Sequence, residues 1–317
     1  MATLLVGYTA QDLFERGKHG RRFTAKWALE GEITCHTLDI YQRHAIEKAH
    51  HLKAVCSAHL PAGNWDEIRF KTGPKRMSGE LALDMLQEIA ALLGGDLSAP
   101  RFRLEYEGKE RDRNSLIAKI RDQPGRTRDF SARWQASVPG LEPVEFTSFP
   151  GCFCHRRRDE GGLALAEVVC RELAQLSADG FDLLDMGCGS GMVGLLIARA
   201  LKGVKLTGVD SHSRAIEAAT LNAARLGVPA ELILADSGTP SRLDGTFDVF
   251  VGNPPYYSDY RIADVFLETA SRALKVGGRC YTVCKNAAGL ESVHRRYFDT
   301  VETIARRGYS VLKSMKV

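Results

Sequence analysis

Beyond about residue 150, short apolar runs alternate with segments in which apolar residues recur at every third or fourth position. The apolar runs predict β-strands, and the spaced segments predict amphipathic helices. The predicted strands are residues 181–186, 204–209, 231–235, 247–251 and 279–284. The predicted helices are residues 191–201, 213–226 and 262–274, the last ended by the glycine pair at 277–278. Alternation of this kind predicts an α/β fold with a mostly parallel sheet.

The first part of the chain repeats some of this order in a weaker form. An apolar run that ends at Asp39 and leads into an amphipathic segment resembles the run that ends at Asp210. The spacing from Asp66 to the following Gly-Gly pair is close to the spacing from Asp248 to the next such pair. The agreement of order and spacing predicts a duplicated α/β domain.

The first copy is predicted to be degenerate, because no glycine-rich loop follows its first strand. We expect this degenerate domain at residues 1–140 and the intact domain at residues 150–317. The segment 141–150 contains two prolines and is the predicted linker.

The composition is that of a soluble globular protein, with 44% hydrophobic and 26% charged residues. A chain of 317 residues is long enough for two domains, each with its own core. No apolar run reaches membrane-spanning length, and acidic residues occur too early for a secretory signal peptide. A cytoplasmic protein is therefore expected.

The net charge of +4 permits a nucleic-acid partner without requiring one. Local basic clusters are the candidate RNA contacts, although a solvated face is the better explanation of any one of them taken alone. These clusters are Lys71/Lys75/Arg76, residues 101–128 and Arg156-Arg157-Arg158. No metal site is predicted, because the eight cysteines form no Cys-x-x-Cys pair and the stretch Cys152-Phe153-Cys154-His155 lacks a second ligand pair.

The first motif with chemical content is Asp185-Met186-Gly187-Cys188-Gly189-Ser190-Gly191, which joins a predicted strand to a predicted helix. Glycine allows the backbone to approach a ligand closely, and a helix N-terminus favours a carboxylate. Such a loop alone also suits a dinucleotide. Asp185, directly before the loop, favours a cofactor with an amino-acid tail, because its carboxylate can bind the ammonium group directly or through water.

Two further acids stand at the ends of the next predicted strands. Asp210, followed by Ser211, can accept both ribose hydroxyls of an adenosine. Asp236 can accept from the adenine amino group, and the backbone N–H of Ser237 can donate to the ring. One acid at a strand end is commonplace, but three around a glycine loop indicate a single binding site.

The most informative motif is Asn253-Pro254-Pro255-Tyr256, which follows the fourth predicted strand. An amide or aniline-like nitrogen is a poor nucleophile, because its lone pair is delocalised. The Asn253 side-chain carbonyl and the Pro254 backbone carbonyl can accept its two N–H bonds and aim the lone pair at a methyl group. Proline rigidity fixes the carbonyl, and Tyr256 can stack on a planar base or amide.

Residues 150–285 resemble class I S-adenosylmethionine-dependent methyltransferases that modify amino groups. Within that group, the chain is similar to the ribosomal RNA small-subunit methyltransferase C family, which methylates guanine N2. The resemblance is carried by the motifs above and by the degenerate first domain, together with Pro150-Gly151-Cys152-Phe153, Asp159-x-Gly161 and the ending Gly308-Tyr309-Ser310-Val311-Leu312-Lys313. It implies two Rossmann-like methyltransferase domains of which only the second is catalytic, S-adenosylmethionine as the cofactor, and rRNA or the small ribosomal subunit as the partner.

The motifs and the resemblance together give the expected site residues. The expected catalytic residues are Asn253, Pro254, Pro255 and Tyr256. The expected cofactor-binding residues are Asp159, Gly161, Asp185, Gly187, Cys188, Gly189, Gly191, Asp210, Ser211, Asp236, Ser237 and Asn253. The sequence departs from the family at Tyr256 and Tyr257, where the family usually has Phe and then His, and at Gly161-Gly162, where it usually has Gly-Thr.

Two other interpretations remain open. Tyr after the two prolines is also common in enzymes that methylate the amide of a protein glutamine or the N6 atom of adenine. The strands predicted in residues 1–140 argue against the glutamine enzymes, which carry a small helical N-terminal domain. The third interpretation is a catalytically inactive RNA-binding or assembly protein, and the intact Asn253–Tyr256 motif argues against it.

Overall fold

The computed structural model of this chain describes residues 1–16, 23–25, 31–121, 128–174, 180–236, 240–255 and 260–317. The chain divides into two compact units, Met1–Phe130 and Ser131–Val317. Within the residues described, no helix is long and apolar enough to cross a membrane.

The first unit is an α/β structure with a buried, mostly aliphatic core. Its elements are β1 (Ala2–Val6), β2 (Phe14–Arg16), β3 (Phe23–Ala25), β4 (Glu32–Thr37), α1 (Ile40–His50), β5 (Lys53–Cys56), β6 (Glu67–Thr72), α2 (Gly79–Leu92), β7 (Phe102–Tyr106) and α3 (Glu110–Arg121). Five of these strands form a parallel sheet in the order β5-β4-β1-β6-β7. The apolar face of α2 packs with Leu4 and Phe70 of the sheet, through Leu86 and Ile89.

The second unit is built in the same way around a larger sheet. Its elements are β8 (Ala132–Ala136), β9 (Val144–Ser148), α4 (Glu160–Leu173), β10 (Phe181–Met186), α5 (Met192–Ala200), β11 (Val204–Asp210), α6 (Ser213–Leu226), β12 (Ala230–Leu234), β13 (Phe247–Gly252), α7 (Arg261–Ala273), β14 (Leu274–Cys284), α8 (Ala287–His294), β15 (Glu302–Arg306) and β16 (Tyr309–Met315). The sheet order is β12-β11-β10-β13-β14-β16-β15. Strand β16 is antiparallel to both of its neighbours, and the other pairings are parallel.

The two sheets share one strand order. If the strands β1, β4, β5, β6 and β7 are matched in sequence to β10, β11, β12, β13 and β14, the first sheet reproduces five consecutive positions of the second. This agreement confirms the predicted α/β class with two Rossmann-like domains, and it is what a duplication predicts. The antiparallel pair β15–β16 extends only the second sheet.

Two predictions of local structure are wrong. The segment 141–150 is not a free linker, because β9 lies within it and pairs with β8 in an antiparallel hairpin of the second unit. Helix α7 does not end in a glycine cap. Leu274 is already extended and pairs with Phe247, so the buried strand begins three residues before Gly277.

A fully buried histidine lies beneath the second sheet. His294, at the end of α8, hydrogen-bonds Thr282 at 2.7 Å and Ser314 at 2.9 Å, which joins β14 to β16. Burial without a neighbouring carboxylate lowers the pKa of His294 from 6.5 to about 4. The ring therefore stays mostly neutral in the folded protein between pH 6.5 and pH 4, where it becomes charged in the unfolded chain.

This burial predicts a pH-dependent contribution to stability. Between pH 6.5 and pH 4 the unfolded chain binds a proton that the folded protein excludes, so the contribution of His294 falls as the pH falls. We expect the difference in unfolding free energy between wild type and His294→Gln to narrow by up to about 3 kcal/mol between pH 7 and pH 4.

The measurement is urea unfolding followed by the fluorescence of Trp134, with Trp27 and Trp65 replaced by Phe so that the signal reports the second unit. His44→Gln, at an exposed histidine of the first unit, is the control. If the difference in unfolding free energy between wild type and His294→Gln does not change with pH, the lowered pKa of His294 is contradicted.

Candidate active site

The expected site residues meet at one edge of the second sheet. Strands β10, β11, β12 and β13 run parallel, so their carboxyl ends lie side by side. In the register of the sheet, Met186 at the end of β10 lies between Val209 of β11 and Gly252 of β13. The glycine loop, Asp210 and Asn253 therefore start from adjacent positions, as predicted for ligand sites in open α/β sheets.

The glycine loop is tied to the neighbouring strand. The backbone N–H groups of Gly187 and Cys188 both donate to the carbonyl of Val209, at 2.8 and 3.0 Å. Gly187 has a φ of +68°, and a Cβ there would lie 2.7 Å from the ring of Phe266. Gly189 differs, because its φ is +55° but a Cβ would meet no atom within 4 Å. The loop is thus closely packed on its protein side and open at Gly189.

Asp185 is almost completely buried beneath this loop, with 3% of its surface exposed. Its Oδ2 accepts from the backbone N–H of Gly194 in α5 at 2.9 Å. Burial raises the pKa of Asp185 to about 7, and the negative charges of Asp210 and Asp159 add to the rise, whereas the bond from Gly194 opposes it. A cation bound beside Asp185 would stabilise its ionised form.

Asp210 is held by two backbone groups. Oδ2 accepts from the N–H of Gly189 and Oδ1 from the N–H of His212, both at 2.9 Å. A carboxylate oxygen can accept more than one hydrogen bond. Ser211 follows it and is half-buried.

Asp236 lies two residues beyond the end of β12 and is half-buried. It stands beside Asp210 at the sheet edge, because Ala235 donates its backbone N–H to the carbonyl of Asp210 at 3.0 Å. Ser237 and Tyr256, two of the expected site residues, lie outside the described residues.

Asn253 contacts Asp159, another expected site residue. Its Nδ2 donates to Asp159 Oδ2 at 2.7 Å. Asp159 is also the N-cap of α4, where its Oδ1 accepts from the N–H of Gly161 at 3.0 Å. The next residue, Pro254, is buried, and Pro255 is half-buried.

The edge therefore combines four carboxylates, an open backbone loop and a fixed side-chain amide. The buried carboxylate of Asp185 suits an ammonium group, and the half-buried carboxylates of Asp210 and Asp236 suit hydroxyl and amino donors. The amide of Asn253 offers an acceptor next to the place where such a ligand would bind.

One residue that holds this site together was not predicted. Asn222 of α6 is completely buried. It exchanges two hydrogen bonds with the backbone of Thr147 in β9, both at 2.8 Å, and donates to the carbonyl of Ser190 at 2.9 Å. It thus joins the hairpin to the glycine loop. An isolated asparagine in a helical pattern gives no signal of such a role.

In the basic cluster predicted at Lys71/Lys75/Arg76, two of the three side chains form ion pairs with acidic residues. Lys71 pairs with Asp12 at 2.8 Å. Arg76 donates to both carboxylate oxygens of Asp12 and to both of Glu107. The expectation that Lys71 and Arg76 contact RNA is therefore not supported, since their charges are already balanced. In contrast, Arg156 and Arg157 are exposed.

The side chains of Cys152 and His155 lie against other residues of the second unit. Cys152 is buried among Ala215 and Ala218, and Nδ1 of His155 lies 3.1 Å from the Ser148 hydroxyl. In the described ranges, no three His, Cys, Asp or Glu side chains lie close enough together to hold a metal ion.

Comparison with known proteins agrees with this geometry. The sequence profile of the methyltransferase small domain family matches residues 143–313. Ribosomal RNA small subunit methyltransferase C of Pseudomonas aeruginosa is 31% identical over 182 residues, which are 54% of this chain and 52% of that protein. Ribosomal RNA large subunit methyltransferase G of Pseudomonas paraeruginosa is 28% identical over 240 residues, 74% of this chain and 59% of that protein. The matches thus span about half the length of these curated relatives.

A solved structure matches the whole chain. The 16S rRNA N2 methyltransferase from T. thermophilus, solved in complex with AdoMet and guanosine, superposes with a TM-score of 0.71. The match covers 100% of this chain and 88% of the other, at 18% identity. At this identity the likeness establishes a shared fold that includes both units.

The bonds of Asn222 predict that it is a major structural residue of the site. Asn222→Ala would leave two buried carbonyls and one N–H without their partners, so we expect the unfolding free energy of the second unit to fall by about 3 kcal/mol. Urea unfolding followed by Trp134 fluorescence measures this loss. Thr220→Ala, at an exposed position of the same helix, is the control, and equal losses in the two variants would show that the bridge contributes little.

Proposed function

The chain belongs to the methyltransferase small domain family, and we infer that it is an S-adenosylmethionine-dependent methyltransferase acting on the exocyclic N2 amino group of guanine in ribosomal RNA. The observation that carries this proposal is the fixed amide of Asn253, bonded to Asp159 at the sheet edge beside the glycine loop. An acceptor in this position is what a poorly nucleophilic amino group requires.

The residues at the edge fit the proposed cofactor. Asp185 would hold its ammonium group, and the loop from Gly187 to Gly191 would hold its carboxylate with backbone N–H groups. Asp210, with Ser211, would accept from the ribose hydroxyls, and Asp236 from the adenine amino group. The open space at Gly189 supports this fit, because the loop is otherwise closely packed. Bound S-adenosylmethionine supplies a methyl group on a positively charged sulfur.

The chain's own contribution to the reaction is to orient the target nitrogen. The Asn253 side-chain carbonyl would accept one N–H of the amino group, and the Pro254 carbonyl the other. These bonds localise the nitrogen lone pair. They strengthen as the nitrogen gains positive charge, so they stabilise the transition state more than the ground state.

Three observations support guanine N2 in rRNA as the target. The relatives reported above are named as rRNA methyltransferases of the small or the large subunit. The protein that matches over the whole chain is an N2 methyltransferase bound to guanosine. The first unit is an α/β domain and not the small helical domain expected of the glutamine-methylating alternative. We propose the small ribosomal subunit or its rRNA as the partner, with the first unit contributing to RNA binding.

Methyl transfer tests the function directly. Purified protein and labelled S-adenosylmethionine are incubated with rRNA, ribosomal subunits and a protein release factor in parallel, and the product is identified by mass spectrometry. Methylation at guanine N2 is expected. Methylated adenine or glutamine would instead favour an alternative substrate, and absence of transfer from a protein that binds both cofactor and RNA would favour the inactive RNA-binding protein.

Replacing Asn253 tests whether its side-chain amide orients the target nitrogen. We expect Asn253→Ala to lower kcat by a hundredfold or more, on the order of the loss of one transition-state hydrogen bond, while cofactor affinity stays close to wild type. Asn114→Ala, at an exposed asparagine of the first unit, is the control. A variant that keeps more than about a tenth of the wild-type kcat would contradict this role.

The open space at Gly189 predicts a loss of cofactor binding in Gly189→Ala. Gly227→Ala is a matched control, because Gly227 has a φ of +64° and a Cβ there would also meet no atom within 4 Å. Both substitutions introduce strain of about 1–2 kcal/mol, but only Gly189 lies in the loop. By calorimetry with S-adenosylmethionine, we expect a Kd raised at least about a hundredfold by Gly189→Ala and changed less than about threefold by Gly227→Ala. Equal affinities would mean that the open space is not where the cofactor binds.

A further inference from the structure

The carboxylate of Asp159 is shared between a helix and the proposed catalytic amide. Its Oδ1 accepts from the N–H of Gly161 and so caps α4. Its Oδ2 accepts from Nδ2 of Asn253 at 2.7 Å, between residues 94 positions apart in the chain. The cap holds the carboxylate in place, and the carboxylate in turn holds the amide.

The contact decides which way the amide of Asn253 points. An ionised carboxylate can only accept hydrogen bonds, so it selects the NH₂ end of the amide. A flipped amide would bring two acceptor oxygens together at this distance, with no proton between them. The carbonyl oxygen of Asn253 is therefore the end left for a ligand. The charge-assisted bond also polarises the amide and makes that oxygen a stronger acceptor.

Close packing fixes Asp159 itself. A Cβ at Gly162 would lie 2.6 Å from Asp159 Oδ2, and a Cβ at Gly161 would lie 3.1 Å from the ring of Tyr309. Any side chain at position 162 would displace the oxygen that binds Asn253. Gly162 is thus crowded by this carboxylate, and Gly161 by the ring of Tyr309.

We propose that Asp159 is a positioning residue for methyl transfer, which fixes the amide of Asn253 so that its carbonyl oxygen faces the target. The inference rests on the proposed function and adds a reason for its selectivity. A fixed carbonyl acceptor selects an N–H donor on the substrate and rejects a carbonyl oxygen, which also lies on the edge of a guanine ring. A residue that only capped α4 would not have this effect.

The test exchanges donor and acceptor across the contact. In Asp159→Asn, the new side chain can still cap α4 through its oxygen, but it presents NH₂ to Asn253 and favours the flipped amide. We expect kcat to fall on the order of thirtyfold to a hundredfold, a larger change than that in the cofactor Kd. Asn253→Asp alone should be at least as impaired, because two carboxylates then face each other.

The double variant Asp159→Asn/Asn253→Asp restores a donor opposite an acceptor. The carboxylate at position 253 can accept from the new amide with one oxygen and from the target with the other. We expect its kcat to recover to within about tenfold of wild type. Asp39→Asn is the matched control for exchanging a capping aspartate for asparagine, because Asp39 caps α1 by accepting from the N–H of Tyr41 at 2.8 Å.

A second readout does not depend on activity. In the unliganded protein, Asn253→Asp should lower the thermal midpoint of the second unit, and adding Asp159→Asn should restore most of the loss. A wild-type kcat in Asp159→Asn, or additive effects of the two substitutions on both kcat and the midpoint, would overturn the proposal. If the wild type transfers no methyl group to any substrate, the proposed function fails. The thermal midpoints of the wild type, the two single variants and the double variant still decide whether Asp159 fixes the amide.

Discussion

The site in the second unit depends on bonds between side-chain carboxylates and the backbone N–H groups at the carboxyl edge of the sheet. Asp185 accepts from Gly194, Asp210 from Gly189 and His212, and Asp159 from Gly161. Each carboxylate is therefore fixed by backbone that belongs to a helix start or to the glycine loop. Because no ligand is needed to hold these groups, the cost of arranging them is met when the chain folds, which is the condition for a preorganised site.

The same bonds explain why the charges can be brought so close together. Burial raises the pKa of Asp185, and the negative charges of Asp210 and Asp159 add to the rise. The backbone N–H of Gly194 opposes it by donating to the Asp185 carboxylate. A ligand with a positive charge beside Asp185 would stabilise its ionised form in the same direction.

The sequence patterns predicted the parts of the fold that are set by local periodicity. The bounds of β10 and α6 agree with the structure, because their apolar residues follow one regular period. The hairpin β8–β9 was missed because the prolines at positions 143 and 150 suggested a linker, although Arg133 and Gln135 alternate with apolar residues as in a half-buried strand. The false glycine cap arose because the glycine pair was given more weight than Leu274, whose strand pairing decides where α7 ends.

For the site, the sequence supplied the residues but not their contacts. Asp159 and Asn253 were both expected to be functional residues, yet a bond between residues 94 positions apart cannot be read from spacing. Asn222 gave no signal, because its partner Thr147 lies 75 positions away and a single asparagine in a helix is usually solvated. Such contacts depend on how the hairpin and helices pack, which one-dimensional periodicity does not encode.

The first unit provides the complementary case, in which the same sheet order carries different chemistry at its edge. Lys71 lies one residue before the end of the strand that corresponds to β13 and pairs with Asp12, which also binds Arg76. Gly7, after the strand that corresponds to β10, leaves no room for a Cβ, because its backbone approaches the carbonyl of Lys71.

Burial of Asp12 opposes its ionisation, but hydrogen bonds from Arg76, Lys71 and Thr9 lower its pKa far below its usual range. In the second unit the carboxylates of Asp185, Asp210 and Asp159 accept instead from uncharged backbone N–H groups. The difference between an ion-pair cluster and a binding site therefore lies in what balances the carboxylates, and the sheet beneath them can remain unchanged.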